Sequence, residues 1–305
     1  MKIHEYAAQG RIRSIEKEIA KGVNIDSKDE EYPYTPLAYT VASDDADLNV
    51  IRFLIEKGAD INARGMGKHQ CTVFSFAVRK GNIEKINFLL DLGADINYES
   101  TYNSTALVEA VRSHNCNLIE VLNLLIARGC TTNKEKDYIA LEIASRKGRF
   151  DAVQLLIDRG VDMISLPWTP LMQAIALGTI EDVEALLDED ADLTAKDCEG
   201  RTPFLLSLVV GDLEKAQLIF VSGAKINDRG KKGQTGFMYA IAHDASKKRV
   251  RLLQWLIGIG CNIEERDESS ITPLHFAVSC NAINCATILL KHGANPNSRS
   301  KYNSL

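Results

Sequence analysis

The chain has 305 residues, 45% hydrophobic and 25% charged, a balance ordinary for a folded soluble protein and unlike that of a disordered or fibrous one. Its net charge of −5 argues against a general nucleic-acid binder, and the opening MKIHEYAAQGRIRSIEKEIAKG carries charge where a secretory signal needs an uninterrupted apolar core. No run is long enough to span a bilayer, and Cys71, Cys116, Cys130, Cys198, Cys261, Cys280 and Cys285 contain no C-x-x-C pair, so they read as reduced thiols of a cytoplasmic chain without metal or disulfide framework.

Taken in order, the chain writes one unit many times. A residue suited to left-handed backbone ends a second helix at Gly22, Gly58, Gly93, Gly129, Gly160, Asp190, Gly223, Gly260 and Gly293, at intervals of 36, 35, 36, 31, 30, 33, 37 and 33. Around these anchors stand KGVNID, KGADIN, LGADIN, RGCTTN, RGVDMI, EDADLT, SGAKIN, IGCNIE and HGANPN. First helices start at Thr35-Pro36-Leu37, Thr169-Pro170-Leu171, Thr202-Pro203-Phe204 and Thr272-Pro273-Leu274, where the Thr hydroxyl caps and Pro takes the first helical position. Thr72, Thr105 and Thr235 keep the cap without Pro, whereas Ile139-Ala140-Leu141 keeps only the apolar anchor. Turns between paired helices fall at Gly10, Gly81, Gly148, Gly178 and Gly211, and Asn281 stands in the same place. The longer links SDDADLN, SHNCNLIE and HDASKKR are expected to bulge from one edge.

The most complete copy, TPLHFAVSCNAINCATILLKHGANPN from Thr272 to Asn297, resembles an ankyrin repeat in its TPLH start, mid-repeat turn, paired leucines and GANPN hairpin. The resemblance covers essentially the whole chain. It implies an all-α fold, an ankyrin-repeat solenoid of stacked helix pairs with connecting β-hairpin loops, as a single domain over residues 1–305. Residues 1–33 would be an N-terminal capping repeat, 34–298 eight repeats, and 299–305 the start of a further, truncated repeat, because NSRSKYNSL from Asn297 parallels NYESTYNSTAL from Asn97. It also implies that His275 ties its imidazole to neighbouring hairpin backbone. Asn62, Asn97, Asn227 and Asn297 resemble the hairpin asparagines that asparaginyl hydroxylases modify in this family.

No catalytic constellation is present in the sequence: it has no Gly-rich phosphate loop, no G-x-S-x-G and no H-E-x-x-H. The expected function is protein–protein interaction without enzymatic activity, cofactor or metal. In the family the hairpin tips and first-helix ends line a concave face. The two residues before each mid-repeat turn include Arg79-Lys80, Arg112-Ser113 and Arg146-Lys147, then Ala176-Leu177 and Val209-Val210, so a basic block is followed by an apolar one. The hairpins add Tyr32, Tyr34, Lys68, His69, Tyr102, Lys136, Tyr138 and Trp168, with Arg201, Lys231 and Lys232 further on.

The expected partner is a protein with an acidic or phosphorylated stretch and an apolar anchor docking near Trp168, Leu177 and Val210. Like charges on neighbouring repeats repel, which favours a binding role for the basic block. A local change of curvature is expected at TTNKEKDY and ISLPW, and Lys247, Lys248, Arg249 and Arg251 read as a solvated face. Other readings are a fragment of a larger protein such as a bacterial effector, which would act in a host cytosol, a channel or a scaffold, and an inhibitor or immunity-type protein covering an enzyme.

Overall fold

The computed structural model describes residues 2–31, 33–45, 47–65, 70–98, 104–113, 116–130, 137–163, 166–241 and 247–301, apart from the side chains of Lys247 and Lys248. Among them are eighteen α-helices and no strand, with one antiparallel bridge between Arg64 and Thr72. They fall into two compact units, Met1–Ala144 with Asp151–Met163, and Ser145–Phe150 with Ile164–Leu305.

The first unit pairs α1 (Lys2–Ala8) with α2 (Ile12–Ala20), α3 (Pro36–Ala42) with α4 (Leu48–Glu56), α5 (Val73–Lys80) with α6 (Ile83–Asp91), and α7 (Ala106–Arg112) with α8 (Leu118–Ala127). It also takes in most of α9 (Tyr138–Arg146) and α10 (Phe150–Asp158). The second pairs α11 (Pro170–Leu177) with α12 (Ile180–Asp188), α13 (Pro203–Val210) with α14 (Leu213–Val221), α15 (Gly236–Ile241) with α16 (Lys247–Gly258), and α17 (Pro273–Ser279) with α18 (Ile283–Lys291). First helices stack in series, α1, α3, α5 and α7 in one unit and α11, α13, α15 and α17 in the other. These helices have 6 to 12 residues. An isolated helix needs about 12–15 residues to be even marginal, so stacking supplies the stability. Leu37, Ile51, Phe74 and Leu107 are buried in the first unit, and Phe204, Leu208, Ile219 and Leu252 in the second.

The helix starts follow the sequence closely. The hydroxyls of Thr35, Thr72, Thr105, Thr169, Thr202 and Thr272 each accept the backbone N–H three residues on. Two starts differ. Thr235 does not cap through its hydroxyl, because the N–H of Met238 bonds the Thr235 carbonyl instead, at 3.0 Å. Helix α9 begins at Tyr138, with buried Asp137 ahead of it accepting from Thr105 Oγ1 at 3.2 Å, so its start is not at Ile139. The anchors behave as expected: Asp190 (φ 57°) and Asn281 (φ 53°) take the left-handed backbone that glycine takes elsewhere. Gly178 does not, at φ −88°, since Thr179 immediately caps α12 and leaves no residue to turn.

A device unseen in the sequence joins successive pairs. Each short first helix ends with carbonyls lacking intrahelical partners, and for α3, α5, α11 and α13 a side chain from the next pair supplies donors there or to the turn that follows. Lys85 on α6 places its ammonium 2.5 Å from Ser43 O and within 3.5 Å of Thr40 O and Val41 O at the end of α3. Lys215 on α14 does the same for α11, at 2.7 Å from Gly178 O, 3.1 Å from Ile175 O and 3.2 Å from Ala174 O. Arg249 on α16 donates to Leu208 O and Val209 O at 2.5 and 2.6 Å. It is therefore buried and structural, not part of a solvated face. Asn117 serves Gly81 O at 2.8 Å.

Hairpins are tied by histidine in the way the resemblance implies. His275 Nε2 lies 2.8 Å from Ser298 O and His4 Nε2 lies 2.9 Å from Ser27 O, each 23 residues ahead. The far end of the second unit exposes Val278, Ile283 and Leu290, whereas Ile241, one pair earlier at the position of Val278, and Leu208, two pairs earlier, are buried. The links SDDADLN, SHNCNLIE and HDASKKR, and the short hairpins around residues 131–138 and 164–168, lie partly or largely outside the described residues.

Two outcomes follow from this packing. Replacing Lys215 by Met removes a cation from a helix C-terminus and should lower stability to urea by about 1–2 kcal/mol; a neutral or stabilising result would mean that dehydrating the ammonium outweighs its three carbonyl contacts. Burial holds the His4 imidazole below its ordinary value of 6.5, against weaker opposing effects from Ser27 O and Asp29. The unfolded chain therefore takes up this proton first. Stability of the first pair should be fully present above about pH 6.5 and decline as pH falls through the lower folded value. Hydrogen exchange across α1 at several pH values, compared with His4→Gln, should show this slope only in the parent protein.

Candidate functional site

In the first unit Arg79, Lys80 and Arg112 are exposed cations at the ends of first helices, each helix followed by a turn glycine or serine. Arg79 ends α5 and Arg112 ends α7, and both reach one carboxylate, Glu109, which α7 buries one turn before Arg112. Arg79 Nε lies 3.4 Å from Glu109 Oε2, and Arg112 Nη1 lies 3.3 Å from Glu109 Oε1. Arg112 also donates to Ser104 Oγ at 2.9 Å, and the Ser104 hydroxyl donates to Glu109. Lys80 pairs with Asp44 at 3.1 Å. The like-charge repulsion expected from the sequence is thus offset within the unit. About half of the Arg79 side chain and 41% of that of Arg112 remain open to solvent, oriented but not covered.

Beside them, Tyr34 stands edge-on to Phe76 at 4.9 Å, and burial pushes its phenol above the ordinary tyrosine value. Gly65 makes that position possible, since an added Cβ would fall 2.3 Å from the Tyr34 ring. The Arg79 guanidinium also donates to Cys71 Sγ at 3.7 Å. Tyr138, at the start of α9, is exposed. Tyr32, Lys68, His69, Tyr102 and Lys136 lie outside the described residues.

In the second unit Arg146 is exposed and Lys147 half-buried. Burial, then the neighbouring Arg146 and Arg149, lowers the Lys147 ammonium. Trp168 is half-buried against Phe150, ring centres 6.2 Å apart, and its indole N–H has no acceptor among the described residues. Leu177 and Val210 are part-buried edges of the core more than projecting anchors. Arg201 is no surface cation. It is 1% exposed, with Nε 2.6 Å from Asp197 Oδ2 and Nη1 and Nη2 each 3.1 Å from Ser145. The other Asp197 oxygen accepts the backbone N–H groups of Glu199 and Arg201, so the acid that shapes the hairpin also draws the guanidinium inward. Lys231 pairs with Glu199 at 3.2 Å.

Sequence reasoning missed Glu109, Asp44 and Asp197. The i,i+3 spacing of Glu109 and Arg112 and the i,i+4 spacing of Asp197 and Arg201 were the available signals. Asn62, one of the hairpin asparagines, accepts the Asp95 N–H at 2.9 Å through its side-chain oxygen. Among the described residues no group of three or more His, Cys, Asp or Glu side chains is gathered as for a metal ion.

A family model described as ankyrin repeats (3 copies) matches overlapping stretches at residues 3–100, 74–167, 107–197, 141–229 and 205–300. The chain is 26% identical over 183 residues to the ankyrin repeat protein FPV031 of Fowlpox virus (strain NVSL), covering 57% of this chain and 54% of that one. It is 29% identical over 168 residues to Rabankyrin-5 of Homo sapiens, covering 44% of this chain and 14% of the relative. It is 38% identical over 60 residues to the DNA-binding protein RFXANK of Homo sapiens, covering 20% and 22% respectively. The chain spans about half the length of the first of these relatives and much less of the other two.

The contrast between the two kinds of arginine is measurable. Arg201→Met should destabilise the second unit by about 3–5 kcal/mol, because it strands buried Asp197. Arg79→Gln removes a half-exposed charge and should cost less than about 1 kcal/mol. Denaturant unfolding of both variants checks this, and equal losses would contradict the assignment of Arg201 as structural and Arg79 as available.

Proposed function

The chain belongs to the ankyrin-repeat family, whose repeats generally serve protein–protein interaction, and from that premise we propose that it binds a protein partner through its first-helix ends and hairpins. The reading assigns the chain recognition without chemistry of its own. The partner carries an acidic or phosphorylated segment that meets the basic residues and an apolar side chain that docks by Trp168. The seven cysteines, none of them in a disulfide, fit a reducing compartment, the cytoplasm. No helix among the described residues is long and apolar enough to cross a membrane.

The observation that carries the reading is the convergence of Arg79 and Arg112 on buried Glu109. A flexible arginine loses rotamer freedom when a partner immobilises it, at about 0.5–1.5 kcal/mol per side chain. Here Glu109 has already imposed much of that order. The guanidinium groups are held partly exposed at the surface, and a guanidinium is suited to carboxylate or phosphate. Acidic partners would be steered by this charge and retained by closer contacts, so association should weaken as salt rises.

The test is affinity capture from the native lysate with parent protein, Arg79→Gln/Lys80→Gln and Trp168→Ala. Gln is used because an acid at 79 would face Glu109 and could unfold α7. A partner held by the parent and depleted at least tenfold with either folded variant supports the reading. Equal capture by all three would overturn these site residues.

A further inference from the structure

A pocket of about 220 Å³ lies within the second unit, with Val209, Met238 and Phe276 as its apolar walls and Arg146, Gln234 and Tyr239 as polar ones. Two other charged groups border it and are already engaged. The Arg201 guanidinium is held by Asp197 and Ser145, and the Glu199 carboxylate by Lys231. Arg146 differs, forming no ion pair among the described residues, and it is exposed at the end of α9.

Tyr239 is the informative wall. It is 7% exposed, yet no acceptor takes its hydroxyl proton among the described residues. The backbone N–H of Lys231 faces the phenol oxygen but is given to Glu199 O at 2.9 Å. Burial pushes the phenol up to about 12, so the proton is present at neutral pH. The ring position is also built for: a Cβ on Gly230 would fall 2.0 Å from Tyr239 Oη. A buried donor without an acceptor costs stability, and phenylalanine would fill the same space without that cost. The hydroxyl makes physical sense if an acceptor arrives from outside.

We propose that this pocket receives a glutamate side chain of the partner protein. Its carboxylate accepts hydrogen bonds from the Tyr239 hydroxyl, the Gln234 amide and the Arg146 guanidinium, while its two methylene groups lie on Val209, Met238 and Phe276. The Glu199 carboxylate at the border opposes a doubly charged phosphate more than a singly charged carboxylate, which favours glutamate over a phosphorylated residue. The inference rests on the protein-binding role proposed above and narrows it to one side chain and one pocket.

Tyrosine labelled with ¹³C at Cζ allows a direct test, because the nine tyrosines give few signals and Tyr239→Phe identifies the one of interest. The probes are blocked pentapeptides of alanine with a central glutamate, glutamine or phosphoserine, titrated into the whole chain. The expected result is a saturable shift of the Tyr239 signal with the glutamate peptide alone. Affinity should fall about tenfold in Tyr239→Phe, followed there by backbone amide shifts, and about tenfold in Arg146→Gln. Tyr239→Phe conserves charge and should unfold no earlier than the parent, so a loss of affinity cannot be assigned to misfolding or to diffuse electrostatics. No shift, an equal shift with the glutamine peptide, or tighter binding of the phosphoserine peptide would overturn the proposal. The capture experiment does not involve this pocket, so a captured partner together with a silent Tyr239 would reject the pocket and leave the wider reading standing.

Discussion

Everything in this protein depends on how a short helix disposes of its last carbonyls. A first helix of six to nine residues leaves a large share of its C=O groups unpaired, and the stack would bury several of them without partners. The remedy is a donor from the next pair: Lys85 for α3, Asn117 for the turn after α5, Lys215 for α11 and Arg249 for α13. Each donor reaches back across one interface. Burial of Leu, Ile and Phe supplies the driving force for stacking, but these contacts specify which helix sits on which. The partial negative charge at a helix C-terminus also compensates a buried ammonium, which desolvation alone would penalise.

What faces outward is a different set of cations. Lys85, Lys215 and Arg249 of the second helices turn inward to the carbonyls, whereas others stand at the ends of first helices. Arg79, Arg112 and Arg146 occupy those ends. In the first unit Glu109 then restrains two of them, and the arrangement becomes a surface with directed donors instead of a diffuse cloud of charge. That distinction matters for recognition, since orientation reduces the ordering that a partner must impose.

The hairpins combine structural and recognition roles in the same few residues. In the second unit Asp197 shapes its turn, holds Arg201 and through it reaches Ser145, all out of water. One turn further on, Gly230 makes room for a phenol whose proton has no taker. Polar groups that satisfy one another describe scaffold, whereas a buried polar group left unsatisfied marks a place where something else can bind.

The sequence by itself determined the repeat, its period, the threonine caps and the left-handed turns, because these are local: a hydroxyl three residues from an N–H, or a residue without a costly Cβ, acts within its own turn. Even Asp190 and Asn281 were readable as glycine substitutes from position alone. The site was legible only as a register of positions near the surface. Which of its charges are available was decided by tertiary structure, since Arg201 and Arg249 look like Arg79 in a sequence but lie next to Asp197 and the α13 carbonyls in space. Glu109 and Tyr239 show the same limit from the other side, one pairing with an arginine thirty residues away and the other lacking an acceptor. Neither fact has a local signature. Charge pairing and hydrogen-bond satisfaction depend on distances that stacking alone creates.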